Sequence, residues 1–199
     1  MSDTPSRRAR CARCQRPQSH CLCPHVPVVE HRTRVIVLQH PDEARHPMNT
    51  ARLAVLGLRH AELWVGEQFP ALEGVLAQAG PACLLFPAAE NGVLVETEPA
   101  PRDTPSMLLV PDGTWRQARQ LIRANPVLHA LPRLSLPAGA PSEYRIRRAS
   151  EPAAVSTIEA LVRALECLEP QGEFRPLLRP FRVMVEQQIE AMGVEVYRR

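Results

Sequence analysis

Four short apolar runs alternate with polar, proline-bearing stretches along the chain: RVIVLQ (34–39), AELWV (61–65), ACLLF (82–86) and MLLV (107–110). Three are continuously apolar rather than alternating, as expected of strands covered on both faces. RLSL (133–136) is a shorter candidate of the same kind. Between and after these runs the apolar period changes to that of a helix. In 50–58, Ala51, Ala54, Val55 and Leu58 recur at i, i+3, i+4 and i+7. The stretch STIEALVRALECL (156–168) opens with Ser156 and Glu159 in capping-box spacing and stacks Ile158, Leu161, Val162, Leu165 and Leu168 on one face. FRVMVEQQIEAMG (181–193) ends in Gly193, placed for a C-cap. Strands alternating with helices predict an α/β fold, with a mostly parallel sheet and helices on both faces.

In such sheets the ligand crevice lies outside the carboxyl ends of the strands. Three strand ends carry polar or proline-rich sequence, LQHPDE (38–43), LLFPAAE (84–90) and LLVPDGTW (108–115), and SEYRIRR (142–148) precedes the capped helix. The third holds the sharpest change of character, from four apolar residues through Pro111 to Asp112, Gly113, Thr114 and Trp115. Thr114 and Gln117 have capping-box spacing, so Thr114 starts a helix there. Asp112 then lies just before a helix N-terminus, whose dipole favours its charge. Gly113 permits a backbone conformation that other residues resist, and close approach of a ligand. Pro-Asp-Gly is also ordinary turn chemistry, and Trp115 either packs under that turn or stacks on a ligand. Arg116, Arg119 and Arg123 form a basic stripe on the following helix, while Ala118, Leu121 and Ile122 face the other way, with Trp115.

Composition narrows the class. A chain of 199 residues with 45% hydrophobic and 23% charged residues can bury a sizeable core. No apolar run reaches the ~18 residues of a membrane span, and MSDTPSRRARC has no apolar leader, so a cytoplasmic location is the expectation. All 24 basic residues are arginine. Arginine pairs bidentately with phosphate and stacks on bases. With a net charge of +3, any nucleic-acid footprint must be local.

Four of the six cysteines, Cys11, Cys14, Cys21 and Cys23, follow the spacing C-x2-C-x6-C-x-C. Four thiolates so close together suit a closed tetrahedral zinc site. The second pair is tighter than the usual C-x2-C; disulfides and an iron–sulfur cluster are the competing readings. Residues 1–30 are thus expected to form a zinc-binding appendage, with 31–199 as the main domain. Arg7, Arg8, Arg10, Arg13 and Arg16 surround the cysteines and are either a solvated tail or an RNA contact. Cys83 and Cys167 sit in apolar surroundings and are expected to be inert core residues.

These residues together resemble the DTW-domain family, named for an Asp-x-Thr-Trp motif, here Asp112-Gly113-Thr114-Trp115. The resemblance extends to the cysteine set, to 38–54 (LQHPDEARHPMNTARLA), 84–90, 142–148 and 156–161, and so to nearly the whole chain. Within the family it points to the bacterial tRNA-uridine aminocarboxypropyltransferases. It implies a SPOUT-like α/β domain with a C-terminal trefoil knot, which nothing in the strand and helix pattern itself predicts. It implies transfer of the 3-amino-3-carboxypropyl group from S-adenosylmethionine to N3 of a tRNA uridine, with methylthioadenosine released. Asp112 would be the catalytic base, or else an orienter of the substrate. Leu85, Phe86, Pro87, Pro111, Gly113, Thr114, Trp115, Tyr144, Ser156 and Thr157 would line the S-adenosylmethionine pocket. Gln39, His40, Glu43, Asn49, Arg116, Arg119, Arg145, Arg147 and Arg148 would face the tRNA. Two alternatives stand beside this reading: a SPOUT-type RNA methyltransferase, and a non-catalytic zinc-containing RNA-binding module. A hydrolase finds no support, since there is no G-x-S-x-G and no open metal site. The sequence leaves monomer and homodimer both open.

Overall fold

A computed structural model describes residues 9–90, 93–95, 105–136, 140–144 and 155–193. Its centre is a five-stranded sheet of β1 (Arg34–Gln39), β2 (Ala61–Val65), β3 (Ala82–Leu85), β6 (Met107–Asp112) and β7 (Arg133–Leu134), in the order β2-β1-β6-β3-β7. Every pairing in it is parallel. A separate antiparallel hairpin, β4 (Ala88–Glu90) with β5 (Val93–Val95), was not foreseen in the sequence. The helices are α1 (Pro41–Ala44), α2 (Thr50–Gly57), α3 (Leu72–Gln78), α4 (Trp115–Ala124), α5 (Thr157–Leu168) and α6 (Arg179–Met192). Among the described residues no helix is long and apolar enough to cross a membrane.

The continuous apolar runs divide by the two-residue period of a strand. Val35, Val37, Cys83, Leu108 and Val110 enter one core, with Ala51, Leu53 and Ala54 of α2, six α5 residues including Ile158 and Leu161, and Phe181, Met184 and Val185 of α6. Ile36, Leu38, Leu84, Met107 and Leu109 enter a second core, with Leu72 of α3 and Leu121 and Ile122 of α4. Helices thus cover both faces, as the run composition requires. The period then decides the fate of the polar strand ends. Gln39 continues the Val35–Val37 column and Asp112 the Leu108–Val110 column, so both fall on the face that α2 and α5 cover.

Three details differ from the sequence reading. β6 does not stop before Pro111 but continues to Asp112, because pairing with β1 persists to Gln39↔Asp112 while pairing with β3 ends at Leu109. Pro111 therefore lies beyond the β3 ladder, where its missing N–H breaks nothing. In α2 the buried set is Thr50, Ala51, Leu53, Ala54 and Gly57; Val55 is only partly buried, and Leu58 stands outside the helix as its C-cap. Cys167 is exposed, because it lies on the face of α5 opposite Leu161, Leu165 and Leu168. Cys83 is buried as expected, and burial pushes its thiol up to about 11.

The chain leaves β1 toward β2 on one side, and leaves β6 toward β7 on the other, past β3. β1 and β6 are neighbours, so the topological switch point lies between them, at their carboxyl ends.

Candidate active site

Asp112 sits at that switch point with only 4% of its surface exposed. A buried carboxylate without donors is costly, and here the donors are present. Gln39 Nε2 donates to Asp112 Oδ2 over 2.7 Å, and Thr157 Oγ1 donates to Oδ1. Gln39 is itself fully buried and locked to Asn49 by a reciprocal amide pair, 3.1 Å in each direction. Asn49 Nδ2 also donates to the carbonyl of Glu43, and Asn49 Oδ1 accepts from the amide of Arg52, which makes it the N-cap of α2. Three stretches distant in sequence, 39–52, the end of β6 and the start of α5, are thereby joined at one carboxylate.

Helix starts frame this network. Thr114 caps α4 in a full capping box with Gln117. Gly113 has φ +150°, and a Cβ there would lie 2.9 Å from Gln117 Oε1, so a side chain at 113 would crowd the box. Ser156 and Glu159 form the second predicted box at α5. Glu159 does more than cap. Its Oε2 also accepts from Ser142 Oγ at 2.7 Å, and its Oε1 accepts from the amide of Glu143 at 2.7 Å. The segment carrying Tyr144 is thus moored to the start of α5, next to Thr157. The spacing of Ser156 and Glu159 predicted the cap; nothing local signalled the second use of the carboxylate.

The end of β3 reaches the same rim. Phe86 meets Trp115 edge to face at 5.6 Å, and Arg133 lies over Phe86 at 5.7 Å. Trp115 is neither fully buried nor free: it packs against a residue predicted to line the same pocket. His40 is buried, caps α1 by accepting from the amide of Asp42, and lies 3.7 Å from Glu67. Of the predicted residues, Gln39 and Thr157 therefore bond Asp112 directly and Asn49 joins through Gln39, while Pro111, Gly113, Thr114 and Trp115 adjoin Asp112 in the chain and Phe86 meets Trp115. Arg116, Arg119 and Arg123 lie exposed along α4, running away from it. Arg145, Arg147 and Arg148, like Arg7 and Arg8, lie outside the described residues.

The cysteines form a second centre. The Sγ atoms of Cys11, Cys14, Cys21 and Cys23 all lie within 4.8 Å of one another, with Cys11–Cys23 at 3.6 Å and Cys14–Cys21 at 3.8 Å. These separations far exceed the ~2.05 Å of a disulfide. They match the ~3.8 Å edge of a tetrahedron with metal–sulfur bonds of ~2.3 Å. Amide N–H groups of Cys14 and Arg13 hold the Cys11 thiol down to about 6, whereas burial and the other thiols push Cys23 up to about 12. A cation is the natural way to hold four thiolates in that space. Cys14 and Leu22 are buried in the same core as α5 and α6, so the knuckle packs directly on the sheet domain.

The DTW domain model matches residues 8–189. The chain is 31% identical to tRNA-uridine aminocarboxypropyltransferase 2 of Drosophila melanogaster, over 98% of this chain and 80% of that protein. It is 31% identical to the Macaca fascicularis protein of the same name, over 92% of this chain and 65% of that one. It is 28% identical to tRNA-uridine aminocarboxypropyltransferase A of Arabidopsis thaliana, over 94% of this chain and 83% of that protein. These relatives are animal and plant proteins rather than bacterial ones. No solved structure gives a significant match.

Proposed function

The chain belongs to the DTW-domain family, and from that membership we propose that it transfers the 3-amino-3-carboxypropyl group of S-adenosylmethionine to N3 of a uridine in tRNA. The observation that carries the reading is the convergence of the family motif with the rest of the matched sequence on one buried carboxylate at the switch point of the sheet. The residues present fit the donor: a carboxylate as counter-charge to a sulfonium, beside an aromatic pair, Phe86 and Trp115, suited to a purine face. S-adenosylmethionine supplies a γ-carbon activated by its positive sulfur. In the reaction a bond forms between uracil N3 and that carbon. The carbon–sulfur bond breaks, with its electron pair kept on sulfur as methylthioadenosine leaves.

Asp112 takes the N3 proton as general base, or holds the uracil edge if the proton departs to water. Gln39 and Thr157 fix the direction of its lone pairs, so that the acceptor is aimed before substrate arrives. Arg116 and Arg119 on α4, with Arg145, Arg147 and Arg148, contact tRNA phosphates, which position the substrate without reading sequence. Zinc is the proposed occupant of the four-cysteine site, in a structural role, since all four ligand positions are protein sulfurs. A SPOUT-like, knotted carboxyl-terminal half and a cytoplasmic location belong to the same proposal.

Two batches of S-adenosylmethionine, labelled in the methyl group or in the carboxyl carbon, test it with unmodified tRNA. Carboxyl label entering tRNA without methyl label, at a uridine by nucleoside mass spectrometry, is the expected outcome. Methyl label alone would make the protein a methyltransferase. Neither label, with tRNA still bound, would leave it a binding module.

A further inference from the structure

One side chain, Arg16, links the four-cysteine knuckle to the loop that leads into the Asp112 network. Arg16 lies two residues beyond Cys14, the second of the first cysteine pair. Its carbonyl accepts from the amide of Cys11 at 2.8 Å, and the turn between them places Gln15 at φ +61°, so its backbone position is dictated by the knuckle. Its guanidinium donates back to the knuckle, Nε to the carbonyl of His20 at 3.2 Å. It also reaches outward, Nη1 to the carbonyl of Pro47 at 3.1 Å, with Met48 Sδ at 3.9 Å. Pro47 and Met48 immediately precede Asn49, whose amide holds Gln39, which in turn holds Asp112.

We propose that Arg16 is a positioning residue for the reaction: the metal-held knuckle uses it to fix the 47–49 loop, and through Asn49 and Gln39 the direction of the Asp112 carboxylate. The proposal rests on the aminocarboxypropyl-transfer reading for what the carboxylate does, but not for how it is held. The planar fork of arginine suits two carbonyl acceptors on different segments, a geometry that one ammonium cannot reproduce. Metal loading then governs more than local folding, because losing it releases a wall of the site.

The test compares the full-length, metal-loaded protein with Arg16→Met, which keeps the stem and removes the donors. The expected result is unchanged zinc content, shifted side-chain amide resonances of Asn49 and Gln39 in ¹H–¹⁵N spectra, and kcat reduced about tenfold with little change in KM. Unmoved amide resonances with zinc fully bound would overturn the proposal. If Arg16→Met loses metal or fold, hydrogen exchange of the wild-type chain before and after chelation decides. Faster exchange at Met48, Asn49 and Thr50 together with 11–23, while β1 and α5 stay protected, supports it; unchanged protection at 48–50 overturns it. If the wild-type protein labels no tRNA, the functional reading fails while the resonance and exchange results keep their meaning.

Discussion

Gln39 and Asp112 face each other in register across the β1–β6 pairing, and the amide of one donates to the carboxylate of the other over 2.7 Å. Each is the last residue of its strand, and each continues a buried apolar column. The sheet therefore ends in a polar pair under α2 and α5 rather than in solvent, and the amide's remaining atoms are satisfied by Asn49. Such a fully partnered polar cluster has one low-energy arrangement, which is what a site needs for holding a reacting group in place.

Replacing Asp112 with Asn keeps the shape but exchanges an acceptor for an N–H₂ group. The Thr157 hydroxyl can turn to accept from that group while Gln39 Nε2 still donates to the remaining oxygen, so the network survives, but no carboxylate remains to accept a proton. Turnover with tRNA is expected to fall by about 10²–10⁴, while tRNA affinity in a filter-binding titration stays near the wild-type value. Loss of affinity as well would make Asp112 a support of the corner rather than a catalytic residue.

Thr157→Val isolates the other hydrogen bond. The capping box of α5 is made by Ser156 and Glu159, so it survives the change. Valine keeps the branched shape and removes only the hydroxyl that reaches Asp112 Oδ1. Single-turnover transfer should slow about tenfold, an effect of the size expected for one hydrogen bond to a charged group. The thermal melt should remain close to wild type; a large drop in Tm with normal turnover would refute a role in aiming the carboxylate.

Much of this arrangement was legible in the chain and some of it was not. Continuous apolar runs identified the strands because both faces are covered, and two capping boxes marked the starts of α4 and α5 to the residue. Four cysteines within a short span announced the close cluster of four sulfurs. The partners of those local signals were hidden. Ser156 and Glu159 predict a helix start, but not that Thr157 beside them meets a carboxylate 45 residues away. Arg16 reads as one charge in a basic run, because its acceptors, the carbonyls of His20 and Pro47, carry no side-chain signature. Cys167 read as core because α5 is apolar on average, and only the helical phase puts it outside.

His31 gives a pH dependence of stability. Its Nδ1 donates to the carbonyl of Thr33 at 2.7 Å and its Nε2 accepts from the amide of His60 at 3.0 Å, an arrangement only the neutral ring can make. Burial, as the main cause, holds its pKa below the ordinary value of 6.5. A folded-state pKa below the unfolded one means that the unfolded chain takes up the proton first. The stabilisation is therefore complete above about 6.5 and is lost as pH falls through that value toward the folded pKa. Thermal melts between pH 8 and 5 should show Tm falling below about 6.5 in the wild type, with a shallower fall in His31→Gln. Identical slopes in the two proteins would place the acid sensitivity elsewhere.

Arg116, Arg119 and Arg123 extend as an exposed row from the corner that holds Asp112, on the opposite side of α4 from Leu121 and Ile122. If they lie along tRNA phosphates, each neutralised phosphate releases counterions and adds about 0.9 to the slope of log affinity against log salt. The triple change to Gln should flatten that slope by up to about 3 and weaken tRNA binding at every salt concentration, most at low salt. Because these side chains stand outside the Asp112 network, KM for S-adenosylmethionine should not move. Arg175→Gln, whose arginine is already paired with Glu166 on a different part of the surface, is the control and should leave the slope as it is. A salt slope unchanged by the triple substitution would mean that the row is merely solvated and that tRNA approaches Asp112 from another side.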